Sequence, residues 1–442
     1  MTIRSKSLGC WALVALLGAS HSVSAQTANP PQKKSHRVQD SEATALNNLL
    51  AAAQAATEKK DYATVAKNYQ EYLAKRPDDA NIHFQLGYAY TALQRLADAK
   101  TEYEKAIALD PKMAPAYLNL GLTLLDSDPA AAVEPLQKAV ELASGNAESK
   151  YYLGVALERS GKPALAIEQY QAAEKLDEKH FETRLALGRT LSKSNRPDAA
   201  DSEFRAALVL RPDSAPAQLG LAQSLLAQQK MDAAAAEFAR YLELQPQDNE
   251  VRIELASLLA DLGKNDNALA ELDRAHAADF NSAAALKLRG RICYQAKRYD
   301  EAVTLLEKAI ALSPQDADVP AQLGHVYLEK KDYPNAARVL LVAWKMSPSD
   351  NEILGDLIAA EYLNKNYPAA LQGLDVLSKR KTLPLGTLFI RATCYDKLGQ
   401  AAEALEAYRK FLSLNKDENS DMYFEAAARA RFLARELKEK KR

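Results

Sequence analysis

The sequence predicts an all-α solenoid of about eleven helix–turn–helix repeats, closed by a C-terminal capping helix. Two observations carry the prediction. A glycine or alanine recurs at one phase, at Gly87, Gly121, Gly154, Gly188, Ala222, Ala256, Gly290 and Gly324, in steps of 34 residues with a single step of 33. Twelve residues after most of these stands an alanine: Ala99, Ala166, Ala200, Ala234, Ala268, Ala302 and Ala336. A fixed period of this length marks one supersecondary unit copied and stacked. Scarce glycine, 16 in 442 residues, and many alanine-rich stretches suit helices throughout.

The stretch Ala80 to Pro111 shows one unit. Phe84, Leu86, Tyr90 and Leu93 fit one helix, and Ala99, Tyr103, Ala106, Ile107 and Leu109 fit a second. Arg95 to Asp98 supply the turn between them. Pro111 stops the second helix, because its ring cannot extend the hydrogen-bond ladder. Gly87 and Ala99 are small where two antiparallel helices would cross. Glycine costs about 1 kcal/mol inside a helix, so six at one phase imply a packing reason.

These residues resemble the tetratricopeptide repeat, whose pattern is W-x2-L-G-x2-Y…A-x3-F…P at a 34-residue period. The Leu-Gly-x-x-Tyr portion reads Leu86-Gly87-x-x-Tyr90 and Leu323-Gly324-x-x-Tyr327. It becomes Leu-Gly-x-x-Leu at Leu120-Gly121, Leu153-Gly154 and Leu187-Gly188. The Ala-x3-aromatic portion reads Ala99…Tyr103, Ala166…Tyr170, Ala200…Phe204, Ala234…Phe238 and Ala404…Tyr408. The closing proline is Pro77, Pro111, Pro212, Pro246, Pro314 or Pro348. The leading tryptophan is absent, with His83, Tyr117 and Leu286 in its place. The resemblance runs from about Leu46 to Lys416. It implies a right-handed superhelix whose first helices line a concave groove for a protein or peptide partner.

The copies differ. The third is one residue short between its helices, at Asp126 to Pro129. The tenth carries Ile358 at the glycine position, Glu361 at the aromatic position and Leu377 in place of the second small residue, with no closing proline. That repeat is expected to be bent or loosened.

The two ends are separate. Arg4 and Lys6, the apolar run Leu8 to Ala19 and the small-x-small end Val23-Ser24-Ala25 have the layout of a secretory signal peptide, residues 1–25, cleaved before Gln26. The run is too short to span a bilayer, which takes about 20 apolar residues. Residues 26–40 are polar and read as a flexible linker. The solenoid occupies 41–418, and 419–442 form a capping helix with a basic tail. Phe424, Ala427, Ala428, Phe432 and Leu433 are expected to face the eleventh repeat, leaving a polar outer side.

Several functions find no support. Removing residues 1–25 takes two basic residues from 57 and none from the 58 acidic ones, leaving a formal charge of −3. Nucleic-acid binding needs a basic face instead. Cys293 and Cys394 lie three repeats apart, too far for a disulfide, and read as small core residues. No H-x3-H or C-x2-C spacing suggests a metal, and no G-x-S-x-G, Walker loop or G-x-G-x-x-G suggests catalysis or a cofactor. An export signal without disulfides fits a bacterial envelope, periplasmic or extracellular.

Counting from each glycine, the positions three before, one after and four after should line the groove. The apolar half takes Phe84, Tyr88, Leu118, Leu122 and Tyr151. A second half takes Lys287, Arg291 and Tyr294, with Arg289 beside them as a basic spot and His325 on an exposed face. Some relatives grip a C-terminal carboxylate with lysines, asparagines and an arginine. Asn119 matches one such asparagine, but its neighbours do not supply the rest. The reading is a non-catalytic interaction scaffold. The alternatives are an accessory subunit of an envelope enzyme or a secretion or pilus-assembly complex, and a chaperone-like holder of exported chains. Oligomeric state is left open.

Overall fold

The structure, a computed structural model, describes residues 35–274, 282–417 and 419–439. The expected signal peptide lies outside the described residues. The chain divides into two compact units, the boundary falling between Lys230 and Met231. The first holds α1 (Ser35–Glu58), α2 (Tyr62–Leu73), α3 (Ala80–Ala92), α4 (Leu96–Leu109), α5 (Ala114–Leu124), α6 (Pro129–Leu142), α7 (Ala147–Arg159), α8 (Pro163–Leu176), α9 (Phe181–Lys193), α10 (Pro197–Leu210) and α11 (Ala215–Ala227). The second holds α12 (Met231–Leu244), α13 (Asn249–Asp261), α14 (Asn265–Arg274), α15 (Ala283–Gln295), α16 (Tyr299–Leu312), α17 (Asp318–Glu329), α18 (Tyr333–Met346), α19 (Asn351–Leu363), α20 (Tyr367–Ser378), α21 (Leu385–Lys397), α22 (Ala401–Leu414) and α23 (Asp421–Glu439). Within each unit, consecutive helices pair and the pairs stack. α1 opens at Ser35, inside the stretch expected as linker. Nothing between Ser35 and Asp40 breaks a helix once Pro31 is passed.

The small residues do what their phase suggests. Ala99, Ala166, Ala200, Ala268, Ala302, Ala336 and Ala404 have no exposed surface. A Cβ on Gly87 would lie 2.7 Å from the Tyr103 ring, and one on Gly154 would lie 2.6 Å from the Tyr170 ring. First and second helices therefore approach until backbone meets ring. Burying each ring of this size removes roughly 150–250 Å² from water.

The turns hold a feature that the sequence hides. Within the second pair the turn is Leu93 to Arg95, not Arg95 to Asp98, and α4 already starts at Leu96. Asp98 sits in the first turn of α4 and accepts a hydrogen bond from Arg95 Nε at 2.7 Å, where a carboxylate complements the helix N-terminus. Gln94 has φ +60°, in the left-handed region. The same phase carries Lys60, Gly161, Asn195, Gln229, Gly263, Lys297, Lys331, Lys365 and Gly399, all with positive φ. Such a residue closes a helix by turning its N–H back to the last carbonyls. In the shortened third repeat no left-handed residue occurs, and α5 ends at Leu124 with 11 residues against 13 in α3 and α7. The deletion thus removes the left-handed residue and is absorbed by the helix end. A side chain at positive φ costs about 1–2 kcal/mol, partly offset by the greater freedom of an unfolded glycine. Lys297→Gly, which copies Gly161 and Gly263, should therefore stabilise the second unit by up to about 1 kcal/mol. Chemical denaturation checks this.

Buried polar groups often replace the missing tryptophan. His83, four residues before Gly87, donates from Nε2 to the Pro77 carbonyl at 2.8 Å and sets Nδ1 2.5 Å from Glu102 Oε2. Arg184 takes the same place in its repeat. It donates to the Glu178 carbonyl at 2.9 Å, to Glu174 at 2.5 Å and to Glu203 at 3.2 Å. Arg252 donates to the Pro246 carbonyl at 2.7 Å and to Glu271 at 2.8 Å. Each hub ties the preceding inter-repeat loop to its own second helix. Further along the chain the position turns apolar, at Leu286, Leu354 and Leu388, all buried.

The tenth repeat is not loosened. Its second small residue is Ala370, not Leu377, and Ala370 is fully buried. Ile358 and Leu377 are each 1 % exposed and join one core cluster. Room for Ile358 comes from Gly373 on α20, where a Cβ would lie 2.6 Å from Ile358 Cγ1. Small and large residues have exchanged sides of the crossing.

The capping helix is rotated relative to expectation. Ala426, Ala430 and Leu433 face inward, whereas Phe424 and Phe432 are exposed. The inward face follows the 34-residue phase, since Ala426 stands 34 residues after Ala392. Arg429 secures it with two hydrogen bonds to Asp396, both 2.7 Å.

Candidate protein-binding surface

The apolar half of the expected lining is largely core. Phe84 is 7 % exposed, and Leu118 and Leu122 are 3 % exposed. Phe84 packs its ring 5.9 Å from Tyr103. These three hold neighbouring helices together and leave little surface for a partner. Tyr88 and Tyr151 remain half-buried. Tyr88 meets Tyr62 edge-on at 6.1 Å, and Tyr151 lies 5.0 Å from Tyr152 and 5.1 Å from His180. The structure does not join them into one apolar strip, because the residues between them point inward. Near Tyr151, Glu158 accepts hydrogen bonds from Lys193 Nζ and Tyr170 Oη, both 3.1 Å. Burial would raise the Glu158 carboxyl, but the Lys193 hydrogen bond and the Arg189 charge more than offset it and hold the pKa low.

The basic spot in the second unit is paired. Lys287 reaches Asp316 at 3.1 Å and Asp318 at 2.9 Å, Arg289 reaches Asp273 at 2.6 Å, and Arg291 reaches Asp261 at 3.1 Å. The expected free positive patch is thus matched by carboxylates from flanking elements. They lie about one repeat away in sequence for Lys287 and Arg291, so a search within one turn misses them.

What the structure does bring together is Arg291, Tyr294 and His325. With Gln295, Gln322 and Val326 they line a pocket of about 190 Å³ across the first helices α15 and α17. Arg291 is oriented by Ser257 as well, through a 3.0 Å hydrogen bond. His325 Nε2 lies 2.6 Å from Asp356 Oδ2. That hydrogen bond raises the imidazole pKa above 6.5, against the opposing effect of burial. Gln322 Oε1 is buried and, among the described residues, finds no donor. Gln295 and Gln322 stand at phases that the groove count omitted, five after and two before the glycine. Their amide type was the available signal. The pocket therefore offers a guanidinium, an imidazole, two amides and a phenol ring beside apolar walls. That set suits the alternating donors and acceptors of a peptide backbone.

Asn119 is 2 % exposed, with its amide sealed among packed helices and unpartnered among the described residues. It is in no position to grip a carboxylate in a groove. Cys293 and Cys394 are free and buried, and burial pushes the Cys394 thiol up to about 12. No described helix is long and apolar enough to cross a membrane.

Family models agree with the repeat geometry. Models described as tetratricopeptide repeat match residues 118–180, 185–249 and 385–418, and one described as TPR repeat matches 87–127 and 290–331. Together these stretches span more than half of the chain. No curated protein matches it. Among solved structures, YrrB, described as a TPR protein with an unusual peptide-binding site, is 24 % identical; the match covers 42 % of this chain and 96 % of YrrB, with a TM-score of 0.40. MamA from Desulfovibrio magneticus RS-1 is 21 % identical over 38 % of this chain and 97 % of its own, TM-score 0.37. A chain of the APC/C hetero-tetramer Cut9-Hcn1 is 16 % identical over 87 % and 96 %, TM-score 0.38. The 34-residue phase, the helix pairs stacked within each unit and the family-model matches over more than half of the chain place it in the tetratricopeptide-repeat family.

Proposed function

We propose that this protein is a non-catalytic scaffold of the bacterial cell envelope that holds segments of partner proteins on the first-helix face of its second unit. The family supports the protein-binding part, since tetratricopeptide repeats serve as interaction modules. The observation that carries the location is the pocket shared by Arg291, Tyr294 and His325, with an unsatisfied Gln322 oxygen in its wall. A peptide N–H placed there would satisfy that oxygen, and an unmade buried hydrogen bond costs about 1–3 kcal/mol.

The test uses peptides selected from a random displayed library on the immobilised protein. The strongest is titrated against wild type, Tyr294→Ala with His325→Ala, and Tyr88→Ala with Tyr151→Ala. The first pair should lose about tenfold or more in affinity, or roughly 1.4 kcal/mol, with helix content unchanged. Loss confined to the second pair would move the site to the first unit. Undiminished binding by both pairs would remove the groove reading altogether. Export rests on the basic start, apolar run and Val23-Ser24-Ala25 end. Sequencing of the purified native protein should begin at Gln26 or within a few residues, and a chain beginning at Met1 contradicts it.

A further inference from the structure

The capping helix presents an outer face that is not polar. Phe424, Ala428 and Phe432 are spaced by four and form one ridge along α23. Phe424 is 60 % exposed and Phe432 54 % exposed. Arg429 lies 4.9 Å from the Phe432 ring and steadies it. Two residues after the small position, earlier first helices bury their side chain fully, at Ala89, Ala156, Ile292, Ala360 and Cys394. Ala428 holds the same phase and is exposed. α23 therefore carries the surface of a first helix that another helix normally covers.

The charges beside the ridge say which helix would cover it. Asp421 and Glu425 stand at the N-terminal end of the outer face, and Arg431 and Arg435 at the C-terminal end, all exposed. Among the described residues none of the four is engaged in an ion pair. Counted outward from Ala428, acid and base sit at matching distances: Glu425 and Arg431 three residues away, Asp421 and Arg435 seven, with Phe424 and Phe432 at four. This face is complementary to itself when reversed. We propose that α23 pairs antiparallel with α23 of a second copy of this chain, with Ala428 at the two-fold axis.

In that arrangement Phe424 lies level with Phe432 of the second copy and Asp421 faces its Arg435 near the centre of the seam, while Glu425 and its Arg431 stand level on opposite flanks. Symmetry repeats each pairing, as an isologous interface requires. Ala428 lets the helices approach closely at the centre, and antiparallel helix dipoles add to the attraction. A parallel pairing would set acid level with acid and base level with base, which is repulsive. A single helix face is at the small end of stable interfaces, so the dimer should be reversible and weak. Rim charges make it sensitive to salt.

Sedimentation velocity of the full chain, from micromolar to several hundred micromolar, tests the proposal. Wild type should shift from monomer to dimer as concentration rises, and less so at high salt. Asp421→Arg with Glu425→Arg should be monomeric, and so should Arg431→Glu with Arg435→Glu. Joining all four substitutions in one chain should restore the dimer. Ala428→Cys, in a Cys10→Ser background, should cross-link to itself under mild oxidation. A wild-type chain that stays monomeric throughout overturns the proposal. A dimer that survives either half of the charge reversal, with α23 still helical by circular dichroism, also overturns it. Should those variants unfold, the cysteine variant decides, and absence of its cross-linked dimer counts against the pairing.

Discussion

Gly324→Ile should destabilise the second unit by about 3 kcal/mol, since overpacking a tight core forces side chains off rotamer and shifts backbone. A Cβ at Gly324 would already lie 2.5 Å from Leu340 Cδ2. The better helix propensity of isoleucine returns only a few tenths of a kcal/mol. The tenth repeat shows how the loss can be recovered. There Ile358 holds the glycine position, Leu374 stays fully buried, and Gly373 beside it gives up its side chain. Val339 is the counterpart of Gly373 in the ninth repeat. Val339→Gly alone should also destabilise, because it removes a buried side chain and adds backbone freedom. The two together should be less damaging than their sum, by at least about 1 kcal/mol of coupling. Chemical denaturation of the four members of the cycle measures it. Strict additivity would show that Gly324 and Val339 do not share the crossing. Because repeats couple mainly to their neighbours, the single variants should also broaden the transition.

Arg252→Ala should cost about 3 kcal/mol or more, as expected when one partner of a buried charge pair is deleted. Arg252 is 5 % exposed, and its removal strands Glu271 and the Pro246 carbonyl. Glu271 would keep only Arg274, at 2.6 Å, near solvent. Arg252→Leu with Glu271→Leu should behave differently and fall within about 1 kcal/mol of wild type, since an apolar pair escapes the desolvation cost of both charges. The next repeat already uses that solution, with Leu286 and Leu305 at the two phases. Thermal unfolding of the single and double variants distinguishes the cases. A double variant as unstable as Arg252→Ala would mean that the Pro246 loop, rather than the charge pair, needs the arginine.

Much of the fold was readable because one steric requirement repeats. Gly87, Gly154 and Gly324 must lack a side chain where a ring or leucine from the paired helix presses on the backbone. That demand depends on a residue's own helix pair, so it recurs at a constant spacing. The left-handed turn residues recur as regularly, but seven of them are lysine, glutamine or asparagine, which carry no glycine signal. The tenth repeat misled for the opposite reason. Ile358 looks like a broken pattern until Gly373, fifteen residues later, is seen to make room for it.

The candidate site was less legible. Position along a helix told that Phe84, Leu118 and Leu122 share a face with Tyr88 and Tyr151, but not how much of that face the adjacent repeat covers. Lys287 and Arg291 looked like a basic spot because their carboxylate partners, Asp316, Asp318 and Asp261, come from neighbouring repeats. By itself the sequence determined the repeat, its phase, the helix pairs and their crossing points, all of which follow from sterics within one unit. Tertiary structure decided which side chains stay exposed, which charges remain unpaired and which way α23 turns. Those properties depend on distances between units of the stack that one repeat's pattern does not contain.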